Sequence, residues 1–261
     1  MPAGSLVIVG SGIQLGRHIS ARSISEIEQA DKVFCMTDAF TYRWIEGIRP
    51  DLQPLHIYYG DEKDRRQTYR EMETAIVSAV KEGHKVCAVF YGHPGVFADV
   101  PHAAVRKLRA EGYSTRMEPG ISAEDCLVAD LGMDPGKHGC TSMEATQFLV
   151  YERQIDPTAM LILWQIGLTG DLSCTRFDTT ADKLQVLVDK LCRWYPVGHR
   201  VTIYEAPVLA IHQPRADRLS LKDLPLASLG QSSTLIIPPA ETLSPDTPVL
   251  RALGYTLADL D

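Results

Sequence analysis

The segment Tyr58-Tyr59-Gly60-Asp61-Glu62-Lys63-Asp64-Arg65-Arg66-Gln67-Thr68-Tyr69 concentrates side chains able to move a proton and to hold an oxyanion. Arg65 and Tyr69 stand four residues apart, so a helix carries them on one face, and that face continues into Met72 and Ile76. A guanidinium so placed points to the interior side. There it can hold a phenol near its anionic form or stabilise an oxyanion, because nearby positive charge favours the deprotonated state. The plainer alternative is a solvated basic first turn with tyrosines filling a core, and Arg66, one step around the helix, reads as such a solvated charge.

Three turns could bring main chain close to a ligand. GHPGVF (residues 92–97) places two glycines and a proline after an apolar run, at the carboxyl end of a buried strand. His93 either faces that ligand or belongs to a structural turn, and spacing does not choose between the two. EPGISAE (118–124) offers Ser122 at a helix start whose free N–H groups suit a polar or anionic edge, although capping alone accounts for a serine there. Gly10-Ser11-Gly12 with Gly16 spells GxGxxxG, one residue off the dinucleotide fingerprint, and Asp38 after the next strand resembles its ribose-binding acid. The slipped glycine loses the helix–sheet contact, so the prediction is a tight strand-to-helix turn at a cleft.

These groups need elements to position them. Apolar runs alternate with helical periods, the pattern of an α/β chain with a largely parallel sheet. Residues 6–9, 32–36, 55–59, 85–91 and 114–117 read as strands of a first unit. Its helices are expected after Ser25, which with Glu28 has capping-box spacing, and over 64–82 and 98–110. A second unit is expected to hold a helix from Ser122 through Leu131, strands at 159–164, 201–204 and 234–237, and a helix over 181–194. Units at 1–117 and 118–239 and a short tail at 240–261 follow, with Pro238-Pro239 ending the regular pattern. The 261 residues are enough for two compact domains.

Composition narrows the function classes. Lys plus Arg total 26 against 33 Asp plus Glu, a net charge of −7, and no basic block appears, which argues against a general polyanion binder. The opening SLVIVG is too short for a signal or spanning segment and lacks a cationic flank, so a cytoplasmic protein is expected. Six single cysteines without CxxC, and eight histidines without HExxH, predict free thiols and no structural metal.

Taken together, LVIVGSGIQLG, VFYGHPGVF, MEPGISAEDCL, LWQIG, IYEAP and STLIIPP resemble the tetrapyrrole-methylase superfamily of S-adenosylmethionine-dependent methyltransferases, in collinear order over nearly the whole chain. GHPGVF replaces the GDP-type segment of porphyrin-modifying members. With YYGDEKDRRQTY it is similar to the borosin peptide backbone α-N-methyltransferases of the split type.

That resemblance implies two α/β domains with the cofactor S-adenosylmethionine (product S-adenosylhomocysteine) in the cleft between them, working as an intertwined homodimer. It implies cofactor contacts at His93, Val96, Phe97, Ser122 and Ala123, with Gln165, Tyr204, Ala206 and Thr234 from the second domain. The catalytic group it implies is Tyr59, Arg65, Tyr69 and Tyr91. The loop between Tyr59 and Arg65 is shorter than in the family, so Tyr58 competes with Tyr59 for its place. Only some twenty residues follow Pro239, without an apolar core-peptide run, and the expected substrate is a separate precursor peptide with its own recognition domain. The rival readings are a tetrapyrrole C-methyltransferase, an NAD-dependent oxidoreductase built on the glycine loop, and a non-catalytic precursor-binding scaffold.

Overall fold

The computed structural model describes residues 3–260, in two five-stranded sheets. The first comprises β1 (Ser5–Gly10), β2 (Lys32–Met36), β3 (Gln53–Pro54), β4 (Lys85–Phe90) and β5 (Ser114–Met117), ordered β3-β2-β4-β1-β5 and parallel throughout. Its central strands are near-continuous apolar runs because both faces are covered. Ile27 of α1 (Ala21–Gln29) and Ile45 of α2 (Ala39–Ile48) pack with Val9, Val33 and Val89 on one face. On the other, α3 (Arg65–Lys81) and α4 (Asp99–Ala110) set Met72, Ile76 and Leu108 against Leu6, Ile8 and Ala88.

The second sheet is mixed, where a largely parallel one was expected. It contains β6 (Cys140–Glu144), β7 (Met160–Trp164), β8 (Arg200–Glu205), β9 (Arg215–Ser220) and β10 (Thr234–Ile237), ordered β6-β7-β10-β8-β9. Only β6 and β7 run parallel; the other three pairings are antiparallel. Strand alternation divides the residues between two cores. Leu161, Leu163, Leu235 and Ile237 meet α6 (Ala145–Val150) and α7 (Ala181–Leu191), whereas Met160, Ile162, Trp164 and Ile236 meet α5 (Ala123–Leu131). A short α8 (Thr247–Ala252) lies beyond Pro238-Pro239.

Two other expectations need correction. The first helix begins not after Ser25 but at Ala21, because the Ser20 side chain accepts the Ser23 N–H. Residues 55–59 form no strand: β3 ends at Pro54, and a 3-10 turn at His56–Tyr58 follows, carrying the chain out of the sheet. Among the described residues no helix is long and apolar enough to cross a membrane.

The two sheets are joined where three βα turns crowd together. A Cβ on Gly10 would sit 2.2 Å from the Gly92 carbonyl oxygen and 2.9 Å from Pro94 Cδ, and one on Gly120 would sit 2.7 Å from the same oxygen. Gly10→Ala should therefore destabilise the fold by roughly 1–3 kcal/mol, the range for overpacking a close-packed site. It should also weaken ligand binding in the cleft described below, one wall of which is the Gly92 turn. Denaturant unfolding and calorimetric titration of the variant check both effects.

Candidate active site

Between the domains lies a cleft whose first-domain wall is the turn leaving β4. Tyr91, Gly92, His93, Val96 and Phe97 line it, and opposite them stand Ser122, Ala123 and Glu124 at the start of α5 and Trp164, Gln165 and Thr234 from the second sheet. The wall turns inward because Gly92 and Phe97 have positive φ, 64° and 50°. His93 stays within its own turn, where its Nδ1 accepts the Gly95 N–H at 3.0 Å. Across the cleft Gln165 is also left-handed, φ 58°, so two non-glycine residues hold that conformation on facing walls. Each costs on the order of 1–3 kcal/mol, a strain that concentrates at ligand sites.

Side-chain bonds fix the opposite wall. Ser122 and Asp125 form a reciprocal capping box, with the Ser122 N–H reaching Asp125 at 2.7 Å and the Asp125 N–H reaching Ser122 Oγ at 3.2 Å. The Trp164 indole donates to Ser142 Oγ at 2.7 Å and faces the Phe97 ring at 5.8 Å between centroids. The cleft is thus apolar and aromatic on one side and polar at the helix start.

A second chamber of about 280 Å³ adjoins the first and shares Tyr91, Val96, Phe97 and Gln165 with it. Tyr59 and Tyr69 open into it beside an apolar back wall of Met36, Met72 and Val100, and Glu144 and Gln147 face them from the second domain. Tyr59 and Tyr69 are neighbours there, and burial, then Tyr69 and Tyr91, push the Tyr59 phenol above its ordinary value while Arg65 pulls it down. Tyr91 is pushed up by the crowding of the cleft and by Tyr69, although 55% of its surface is exposed. Tyr59 and not Tyr58 is among the residues that line the chamber; the Tyr58 carbonyl accepts from Lys63 and Thr68 at 2.7 and 3.2 Å.

Arg65 does turn inward, with its side chain 12% exposed, but what it meets is the second domain. Its guanidinium pairs with Asp171 at 3.3 Å, donates to the Arg176 carbonyl and lies 4.8 Å from the Phe177 ring centroid. Phe177 in turn stands 5.9 Å from the Tyr59 ring, so a single aromatic side chain touches both groups. Arg66 is half solvated as expected, yet it also donates to the Leu172 carbonyl at 2.9 Å.

The structure gathers His93, Val96, Phe97, Ser122, Ala123, Gln165 and Thr234 around the first chamber and Tyr59, Tyr69 and Tyr91 around the second. Arg65, Tyr204 and Ala206 are not among the lining residues of either chamber. The Tyr204 hydroxyl instead donates to Asp130 at 2.6 Å in the core under α5, and Ala206 packs on the same cluster. Sequence reasoning missed Trp164, Glu144, Asp171 and Phe177; of these only Trp164 lay in a singled-out motif, LWQIG.

The glycine loop has no free cradle. The Ser11 and Gly12 N–H groups donate to the Phe90 and Gly92 carbonyls at 2.8 and 3.2 Å, so they are occupied within the protein rather than aimed at a pyrophosphate. Asp38 caps α2, accepting the Phe40 and Thr41 N–H groups at 2.9 and 3.1 Å.

Two α/β domains with paired chambers at their junction define a known methyltransferase fold. A uroporphyrin-III C-methyltransferase from Thermus thermophilus superposes with a TM-score of 0.65 at 16% identity, covering 91% of this chain and 93% of that one. A cobalamin biosynthetic enzyme, cobalt precorrin-4 methyltransferase, superposes at 0.63 and 15% identity, covering 90% and 94%. The family model for tetrapyrrole (corrin/porphyrin) methylases matches residues 5–205, and the chain belongs to that family.

Fungal relatives are closer in sequence. One from Gymnopus fusipes, named a methyltransferase/ribosomally synthesized cyclic peptide gymnopeptides precursor, is 40% identical over 98% of this chain. The corresponding omphalotin A precursor protein of Omphalotus olearius is 38% identical over 96%. The chain spans 62% and 61% of the lengths of these two relatives.

Proposed function

We propose that this protein is a borosin-type methyltransferase that transfers methyl groups from S-adenosylmethionine to backbone amide nitrogens of a ribosomally made precursor peptide. The single observation that carries this reading is the tyrosine cluster, Tyr59, Tyr69 and Tyr91, in a chamber that opens directly onto the first cleft. The names of the fungal relatives support a peptide substrate. Resemblance of GHPGVF and YYGDEKDRRQTY to the split type supports a precursor supplied as a separate chain to a homodimeric enzyme.

The first chamber suits the methyl donor. Its glycine crossing packs the turns closely enough to form one wall, Val96, Phe97 and Trp164 offer apolar surface, and the α5 start offers polar groups. When bound, S-adenosylmethionine supplies an electrophilic sulfonium methyl.

An amide nitrogen is a poor nucleophile because its lone pair is delocalised into the carbonyl. The protein must therefore withdraw the N–H proton and hold the resulting imidate oxygen. Tyr59 or Tyr69, which line the same chamber, removes the proton. Arg65 stabilises the imidate oxygen with N–H groups not engaged by Asp171 and Arg176. Tyr91, which lines both chambers, orients the reacting groups. Holding the partners at near-attack distance can supply ~7–11 kcal/mol of the barrier, so positioning weighs as much as proton transfer.

The test is incubation with S-adenosylmethionine and the precursor encoded beside the gene, followed by intact and tandem mass spectrometry. Methyl-mass increments on backbone nitrogens are expected. Increments on a tetrapyrrole instead of the peptide would establish the C-methyltransferase alternative, and peptide binding without any increment would establish the scaffold. Stabilisation by NADH rather than S-adenosylmethionine in thermal melts would favour an oxidoreductase.

A further inference from the structure

We propose that Asp171 is a positioning residue for the reaction: a buried carboxylate of the second domain that aims the Arg65 guanidinium at the amide oxygen. The inference rests on the role given to Arg65 above, and it begins from an awkward placement. Arg65 is the first residue of α3, where the helix dipole already concentrates positive charge, so its own helix gives the cation no support. Partners must come from elsewhere, and they come from one stretch of the second domain, Asp171 to Phe177.

That stretch is tied to the start of α3 through several groups. The Arg65 N–H donates to the Cys174 carbonyl at 2.9 Å, the Arg65 guanidinium donates to the Arg176 carbonyl, and Arg66 donates to the Leu172 carbonyl. Cys174 reverses the chain with φ 59°, which brings Phe177 back over the guanidinium. Asp171 is the charged member, its side chain 4% exposed.

Its two oxygens have separate tasks. Oδ1 accepts the Ser173 N–H at 3.0 Å and the Ser173 hydroxyl at 2.5 Å, which fixes the plane of the carboxylate. Oδ2 is left to meet Arg65. Burial opposes the charge, but the Ser173 bonds and Arg65 outweigh it and hold the carboxyl below its ordinary value.

As a staple this pair is poor. A buried, single-contact ion pair at 3.3 Å recovers little of the desolvation of its two charges, and apolar residues in such a place are often as stable or more so. What it supplies is direction, because a long arginine side chain otherwise samples many rotamers. With Nη2 on Asp171, Nη1 on Arg176 and one face on Phe177, the guanidinium has a single orientation, beside the ring that also touches Tyr59.

The experiment compares Asp171→Asn and Asp171→Glu with the wild-type protein. Peptide methylation kinetics are measured with the precursor named above, S-adenosylhomocysteine affinity by calorimetry, and the order of the Arg65 side chain by its assigned ¹⁵Nε–Hε resonance. For Asp171→Asn, kcat should fall about tenfold to a hundredfold, the cost of a misplaced catalytic group. KM for the precursor and S-adenosylhomocysteine affinity should hold, the Arg65 resonance should lose order, and Asp171→Glu should recover most of both. Unchanged or increased kcat, or an unchanged Arg65 resonance, overturns the proposal. So does a loss of kcat matched by equal losses in cofactor affinity and thermal stability, which would make Asp171 only a clip between domains. If the Arg65 resonance responds but the wild-type protein leaves the precursor unmodified, the assigned reaction has failed and takes this role with it; a silent resonance in an active enzyme is failure of the positioning role alone.

Discussion

Arg65→Ala should lower methylation turnover by about 10²- to 10³-fold, the usual cost of removing one oxyanion-stabilising donor, and leave S-adenosylhomocysteine affinity unchanged. Affinity is spared because Arg65 is not among the residues that line the first chamber. The variant carries a second penalty that must be measured separately. Removing the guanidinium leaves Asp171 as an uncompensated buried charge, a change that costs roughly 3–5 kcal/mol when one partner of a buried pair is deleted. Arg65→Lys separates the two effects, since an ammonium can still neutralise Asp171 but lacks the planar fork of donors. The lysine variant should melt near the wild-type temperature and remain catalytically poor. Wild-type turnover in either variant, measured below its unfolding temperature, would remove Arg65 from the mechanism.

The distance of Asp171 from Arg65 along the chain, 106 residues, explains what the sequence could and could not reveal. Elements with their own start and stop signals were legible: β2 and β10 are apolar runs cut off on both sides, and α5 carries its capping serine and ends on Gly132. Polar elements were not. The edge strand β9, RADRLS, has no apolar alternation, and β6, CTSME, has little more; α2 follows Asp38, a single capping residue with no capping-box partner to mark it. The same division holds in the site. Glycine turns betray a cleft through local chemistry, whereas Phe177 and Asp171 acquire meaning only when the second domain folds over α3. Tyr204 illustrates the converse, a tyrosine in a suggestive motif whose hydroxyl is taken by Asp130.

Tyr69→Phe and Tyr59→Phe should each cost about 10²- to 10⁴-fold in turnover, the range for loss of a general base, and the double variant should be scarcely worse than either single one, since groups acting as a unit do not add. The two phenols share one chamber, and Tyr69 adds to burial in raising the Tyr59 phenol. The sign of the pH dependence follows. The active form is the phenolate, and burial lifts Tyr59 above its ordinary 10.0, so near neutrality almost every molecule holds the inactive, protonated form. Turnover should therefore climb about tenfold per pH unit from about pH 7 to about pH 9.5 in the wild-type protein. Folding sets the upper bound: a phenol whose value is raised in the folded state stabilises the fold fully below 10.0 and loses that contribution as pH rises through the folded value. Tyr195, pushed up to about 12 by burial, and Tyr204, raised by burial and Asp130, act in the same sense. Melting temperature should accordingly fall on the alkaline side while turnover at a fixed, sub-melting temperature still rises. A wild-type profile flat between neutrality and the onset of unfolding would mean that the amide proton leaves by another route, and the phenols would then serve only to shape the chamber.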